Sequence, residues 1–281
     1  MKLQFIYPII LLVLFSVACS EDDTEFFPTN ELEGLTKIQE LSNDSHVVEL
    51  YSKSGTLSTG YNVVSVRIKN LSNNTYVENA EITWLPVMQM PTMNHSCPKS
   101  DPVQVANMNA LYQGFMIYQM TNSDGSGWSL TIDYTIDDVS YSVSSELMVF
   151  QSNLQNVSSF MGSDDSRYVV ALIEPEAPII GINEMVVGVY KMETMMSFPV
   201  VENYLLTLDP RMPGMGNHSS PNNTDLTYQV EDELYRGNLS LTMTGYWVLN
   251  LKLLNELGDV LKGEDVTEDN TQSSLYFELE F

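Results

Sequence analysis

Two short segments of the chain concentrate soft donor atoms. "MPTMNHSCP" (90–98) holds Met90, Met93, His95 and Cys97, with Met88 two residues upstream, and "MPGMGNHSSP" (212–221) holds Met212, Met215 and His218. The chain has three histidines, and two of them stand here. Thioether and thiolate sulfur favour Cu(I), and imidazole binds copper as well. Proline and glycine interrupt regular strand in both segments, so side chains two to five residues apart can converge, where β geometry would send neighbours to opposite faces. Methionine also fills cores, and a single Met/His loop reads as ordinary packing. Two such loops at equivalent positions of a repeat tip the reading toward copper, as Cu(I). His46 has no methionine cluster and is expected to be structural or exposed. Cys97 stays open between metal ligand, reactive thiol and incidental buried residue.

The repeat organises the elements that must carry these loops. "HVVELYSKSG" (46–55) pairs with "YVVALIEPEA" (168–177), and "GYNVVSVRI" (60–68) with "GINEMVVGVY" (181–190). Beyond the Met/His segments, "ALYQGFMIYQMT" (110–121) pairs with "ELYRGNLSLTMT" (233–244), and "WSLTIDYT" (128–135) with "WVLNLKLL" (247–254). The offset stays near 120 residues, about one domain. Period-two alternation puts Met116, Tyr118 and Met120 on one sheet face, as it does Trp128, Leu130, Ile132 and Tyr134. In the second copy it aligns Leu239, Leu241 and Met243, then Trp247, Leu249, Leu251 and Leu253, then Leu275, Phe277, Leu279 and Phe281. A short helical period shows only in "LEGLTKIQEL" near residue 37. The expected fold is all-β: two tandem immunoglobulin-like β-sandwiches over residues 36–151 and 166–281. The non-periodic segment 152–165 is expected to be a linker, giving two beads on an anchored stalk.

The first residues, "MKLQFIYPIILLVLFSVACS", read as a secretory signal over 1–18, too short in its apolar core to span a membrane. "SVAC" resembles a bacterial lipobox, which makes Cys19 the expected lipidation site and 19–35 an acidic, flexible tether. The resulting expectation is a lipid-anchored outer-membrane protein on the periplasmic or cell-surface face, "SEDD" resembling a surface-export signal. Removal of residues 1–18 takes away Lys2 and no acid, which leaves 11 basic against 37 acidic residues, a formal charge of −26. That charge excludes nucleic-acid binding, which needs clustered lysine and arginine. With Cys19 lipidated, Cys97 has no intramolecular partner.

"DPRMPGMGNHSSP" followed by "YRGNLSLTMTGYWVLNLKL" resembles the YtkA-like domain, a small immunoglobulin-like extracytoplasmic domain related to FixH-type proteins. "MPTMNHSCP" with "YQGFMIYQMTNSDGSGWSLTI" is similar to the same pattern with a longer hairpin. The resemblance implies copper handling, with metal residues at Met212, Met215 and His218 and, through the repeat, at Met90, Met93 and His95. Met88 is a further donor, and its alignment with Met212 is equally defensible. Ser220 stands near the place of Cys97, so the first copy is expected to be the tighter site, weakened if Cys97 oxidises.

No catalytic triad, H-E-x-x-H helix or Gly-rich phosphate loop is legible, and "NSDGSG" lacks the acidic spacing of a calcium loop. The chain is therefore expected not to be an enzyme. It would sequester copper or pass it to a copper-receiving or copper-exporting partner, with the membrane engaged through lipid alone. The alternative is a surface module that binds protein or glycan and whose Met/His loops are only packed turns.

Overall fold

The computed structural model describes residues 30–123 and 125–281. The expected signal peptide and Cys19 lie outside them. The first copy forms β1 (Thr36–Ser42), β2 (His46–Ser52), β3 (Leu57–Ser58), β4 (Gly60–Asn70), β5 (Glu81–Gln89), β6 (Asn94–His95), β7 (Val103–Gln104), β8 (Tyr112–Tyr118), β9 (Gly127–Ile136), β10 (Val139–Leu147) and β11 (Val149–Phe150). The second forms β12 (Val157–Met161), β13 (Arg167–Glu174), β14 (Gly181–Lys191), β15 (Leu205–Met212), β16 (His218–Ser219), β17 (Leu226–Gln229), β18 (Leu234–Leu241), β19 (Tyr246–Leu254), β20 (Val260–Lys262) and β21 (Leu275–Glu280). Among the described residues no helix is long and apolar enough to cross a membrane.

In domain 1, the sheet β1-β2-β4-β8-β7 faces the sheet β10-β9-β5-β6. Inward residues of both fill one core: Val48, Leu50 and Val66 from one side, Trp84, Trp128 and Leu130 from the other. Domain 2 repeats the plan, except that β17 pairs with both β18 and β15 and joins its two faces into one ten-stranded sheet. Each domain is an immunoglobulin-like β-sandwich. The sets read at Trp128–Tyr134 and Trp247–Leu253 each pack in their domain core; the opposite face is half-open in the first strand, whereas Val248 and Asn250 of the second are buried as well. The strand expected through Met120 ends at Tyr118, which leaves Met120 exposed.

The duplication extends to individual hydrogen bonds. Asn62 and Asn183 each tie down the turn before their strand, taking the N–H of Ser58 and of Ile179 at 2.9 Å. The indole N–H of Trp128 donates to Met120 O at 2.8 Å, and that of Trp247 to Met243 O at 3.1 Å. Gly114 and Gly237 face carbonyl oxygens so closely that a Cβ would stand 3.0 Å from Ser100 O and 2.7 Å from Thr224 O.

Three expectations need correction. The segment near residue 37 is strand β1, because pairing with β2 outweighs a weak helical period. The expected linker contains β12, which pairs with β13 and belongs to domain 2, so the connection shortens to residues 151–156. The expected tether is docked at its end: the Glu31 carboxylate accepts from the N–H of Asn109 at 2.6 Å and lies 3.4 Å from Arg67.

The two domains are not loose beads. Strands β8 and β13 are apolar on both faces. Met116 and Tyr118 fill the core of domain 1, and Tyr168 and Val170 that of domain 2. The alternate residues Ile117, Val169 and Ala171 are buried together with Tyr190 in a third apolar cluster between the domains. Phe115 and Tyr190 bring their rings to 6.5 Å across it. Burying an aliphatic or aromatic side chain of this size contributes roughly 1.5–3 kcal/mol, so the relative placement of the domains is held by packing.

Candidate functional site

At one edge of that interface lies a cleft of about 370 Å3. One wall is the β5–β6 hairpin. Pro91 interrupts the strand, Met90 N–H donates to Met93 O at 3.0 Å, and Met88 falls opposite His95 in register. This turn sends Met90, Met93 and His95 to the cleft. Met120 joins them from just beyond β8. The opposite wall is the β14–β15 connection of domain 2, where Ser197 N–H donates to Thr194 O at 3.2 Å and closes a turn that presents Met192 and Met195.

One backbone bond joins the walls: Ser96 N–H donates to Met195 O at 2.7 Å. Ser96 also fixes its neighbour. His95 Nδ1 lies 2.7 Å from Ser96 O. A carbonyl can only accept, so in the neutral ring the proton sits on Nδ1 and the lone pair on Nε2. This is the arrangement in which imidazole ligates a metal through Nε2. The ring is held further by the edge of Trp128, at 5.7 Å between centroids. The cleft thus gathers five thioethers and one imidazole from both domains, a donor set that suits a soft monovalent cation. Among the described residues, no group of three or more histidines, cysteines or acids is arranged to hold a metal.

The eight residues expected from the sequence divide sharply. Met90, Met93 and His95 line the cleft, Met90 also packing against the domain 1 core. Met88 and Cys97 do not: Met88 is an inward residue of β5, and Cys97 is carried into the same core as the chain after Ser96 crosses to β8, where Ile117 N–H donates to Pro98 O at 2.9 Å. Burial pushes the Cys97 thiol well above its ordinary value, so the thiolate that a metal needs is disfavoured. Met212 is likewise a core residue, of domain 2. It pairs with His218 as Met88 pairs with His95, which makes Met88 the repeat equivalent of Met212 and leaves Met90 without one. Met215 and His218 are exposed on the second hairpin, away from the cleft residues, and two donors there do not make a cage.

Met120 was expected on a sheet face and not as a donor, and Met192 and Met195 were not singled out in the sequence. "KMETMMSFP" (191–199) carried the signal, three methionines in five residues beside a strand end. It was hidden because it has no Met/His counterpart in the other copy. His46 is buried, with Tyr134 Oη 3.2 Å from its Nδ1 and the Tyr141 ring at 4.6 Å, a structural residue.

No family model matches the chain, and neither does any curated protein. Among solved structures it is similar to a chimeric titin Z1Z2-Z1Z2 tandem functionalized with a GRGDS exogenous peptide from fibronectin, at 12% identity, over 80% of this chain and 93% of that one, with a TM-score of 0.17. At that score the likeness carries no weight for the site, and the fold rests on the sheets and cores described above.

Proposed function

We propose that the protein binds copper(I) in the cleft between its two domains, through His95 and thioethers drawn from Met90, Met93, Met120, Met192 and Met195. The observation that supports this reading is that five methionines and a histidine whose Nδ1 is engaged by Ser96 O line one cleft. Thioethers stay unprotonated and uncharged, so they select a soft cation and bind it in acid, where harder ligands are lost to protons. The acidic surface, with 37 acids against 12 basic residues, raises the local cation concentration. The cleft is open to solvent: Met93 is 48% and Met195 43% exposed. An accessible coordination shell suits transfer to a partner's ligands. The proposed role is copper sequestration or delivery by a YtkA-like, lipid-anchored extracytoplasmic protein, by binding and without catalysis.

An anaerobic Cu(I) titration against a chromophoric competitor tests this, on residues 20–281. One equivalent is expected, lost in His95→Ala with Met195→Ala and retained in His218→Ala with Met215→Ala. Equal binding by all three forms would exclude the cleft. Absence of binding would favour the second reading, a surface interaction module. For that reading the supporting observation is the exposed run Ile179, Ile180 and Ile182 in domain 2, each 57–62% accessible, an apolar patch of the kind that marks contact surfaces.

A further inference from the structure

The cleft proposed for a cation is lined by a cation. Arg167, at the start of β13, forms part of its wall. Most basic side chains are in ion pairs with acids, but among the described residues none of these pairs takes Arg167. In a chain so rich in acid, a guanidinium left without a carboxylate beside a soft-metal site opposes a bare cation and attracts an anion. The second observation is size. About 370 Å3 is the range of small-molecule sites, roughly 300–1,000 Å3, and far more room than one ion needs. A third lies in the same cleft: the buried carboxamide oxygen of Gln119, just beyond β8, accepts no hydrogen bond among the described residues, so a ligand N–H or O–H has an acceptor there.

We infer that the cleft receives copper(I) not as a bare ion but as its complex with a small, carboxylate-bearing thiol. The thioethers and His95 Nε2 meet the metal, and the Arg167 guanidinium holds the carboxylate. This rests on the copper reading. Arginine and carboxylate pair through two parallel N–H donors, which fixes orientation as well as charge. Seating the complex is a ligand exchange: a thioether or imidazole lone pair enters the copper shell, a second thiolate or solvent ligand leaves it, and copper stays in the +1 state. The metal charge is compensated within the complex, which removes the repulsion a bare ion meets from Arg167.

The test presents Cu(I) anaerobically with N-acetylcysteine or with N-acetylcysteine amide, which share a thiol and an amide N–H and differ in the carboxylate. It uses the wild type and Arg167→Gln, a change at an exposed side chain; the backbone bond from Met192 N–H to Arg167 O, 2.9 Å, is unaffected. The expected result is that the wild type prefers the carboxylate complex by about tenfold, the size of one charge-assisted hydrogen bond. Arg167→Gln should erase that preference, and rising salt should reduce it. Tight Cu(I) binding with equal affinity for both complexes, or the same preference in Arg167→Gln, would overturn this inference and leave the copper reading standing. Failure to bind copper in either form would overturn both.

Discussion

Met88 and Met93 stand five residues apart in the same donor-rich segment, and the structure assigns them opposite jobs. Met88 is fully buried in the core of domain 1, and Met93 is 48% exposed at the cleft. Truncating Met88 to alanine leaves a cavity, which costs about 2–5 kcal/mol. For a body of this size each kcal/mol moves the melting temperature by about 2–4 °C, so Met88→Ala should melt roughly 4–20 °C lower. Its Cu(I) affinity should be unchanged at a temperature where it is folded, since Met88 points away from the cleft. Met93→Ala removes a donor and little packing. Its melting temperature should move by what about 0.5 kcal/mol produces, while Cu(I) affinity drops at least about tenfold, the usual lower bound even for residues that only support metal ligands. Differential scanning calorimetry of the metal-free proteins and the competitor titration read the two quantities separately. If Met88→Ala loses copper while keeping its stability, or Met93→Ala keeps full affinity, the division of this segment into core and ligand residues is wrong.

Other consequences follow from the packing. Ile117→Glu would place an unpaired charge in the apolar cluster between the domains; the domains should separate with intact cores, seen as a larger radius of gyration by X-ray scattering, and Cu(I) affinity should fall because donors from both walls are needed. Gly237→Ala sets a Cβ 2.7 Å from Thr224 O and 3.0 Å from Asp225 O, backbone atoms that cannot turn aside, so a loss of about 1–3 kcal/mol is expected in urea unfolding; Gly214→Ala, with open space around it, should change stability by less than about 0.5 kcal/mol. Burial holds the His46 imidazole below its ordinary value. The unfolded chain therefore takes up that proton first, so the His46 contribution is full above about pH 6.5 and is lost as pH falls through the lower folded value. His46→Gln should flatten that part of the profile of urea midpoint against pH, and an unchanged profile would show that the buried ring is not its source.

Much of the fold was legible because it is written locally. Strand alternation at Trp128–Tyr134 and Trp247–Leu253 needs only the pleat of a sheet, and the duplication shows in the residues that make the same turn bonds twice, such as Asn62 and Asn183. The packed interface was half legible: "FMIY" (115–118) and "YVVA" (168–171) are continuous apolar runs, the mark of a strand buried on both faces, and their outer members meet between the domains. The expectation of separate beads came from the non-periodic segment 152–165, read as a linker, which says nothing of how the outer faces of these runs pack.

The candidate site divides in the same way. The sequence by itself determined that soft donors cluster after β5 and that a hairpin interrupted by proline presents them. It could not determine where along the hairpin the donors leave the core: Met88 is fully buried, Met90 packs against that core and also borders the cleft, and Met93, beyond Pro91, is exposed at the cleft. Nor could it pair that hairpin with "KMETMM" a hundred residues later. The repeat drew attention to equivalent loops, yet the donors that meet come from non-equivalent segments, β5–β6 of one copy and β14–β15 of the other. Two copies of one fold packed through different faces lose the symmetry between their loops. Only the packing of Ile117 and Phe115 against Val169, Ala171 and Tyr190 decides which loop faces which, and that decision rests on contacts between side chains far apart in the chain, which no local period encodes.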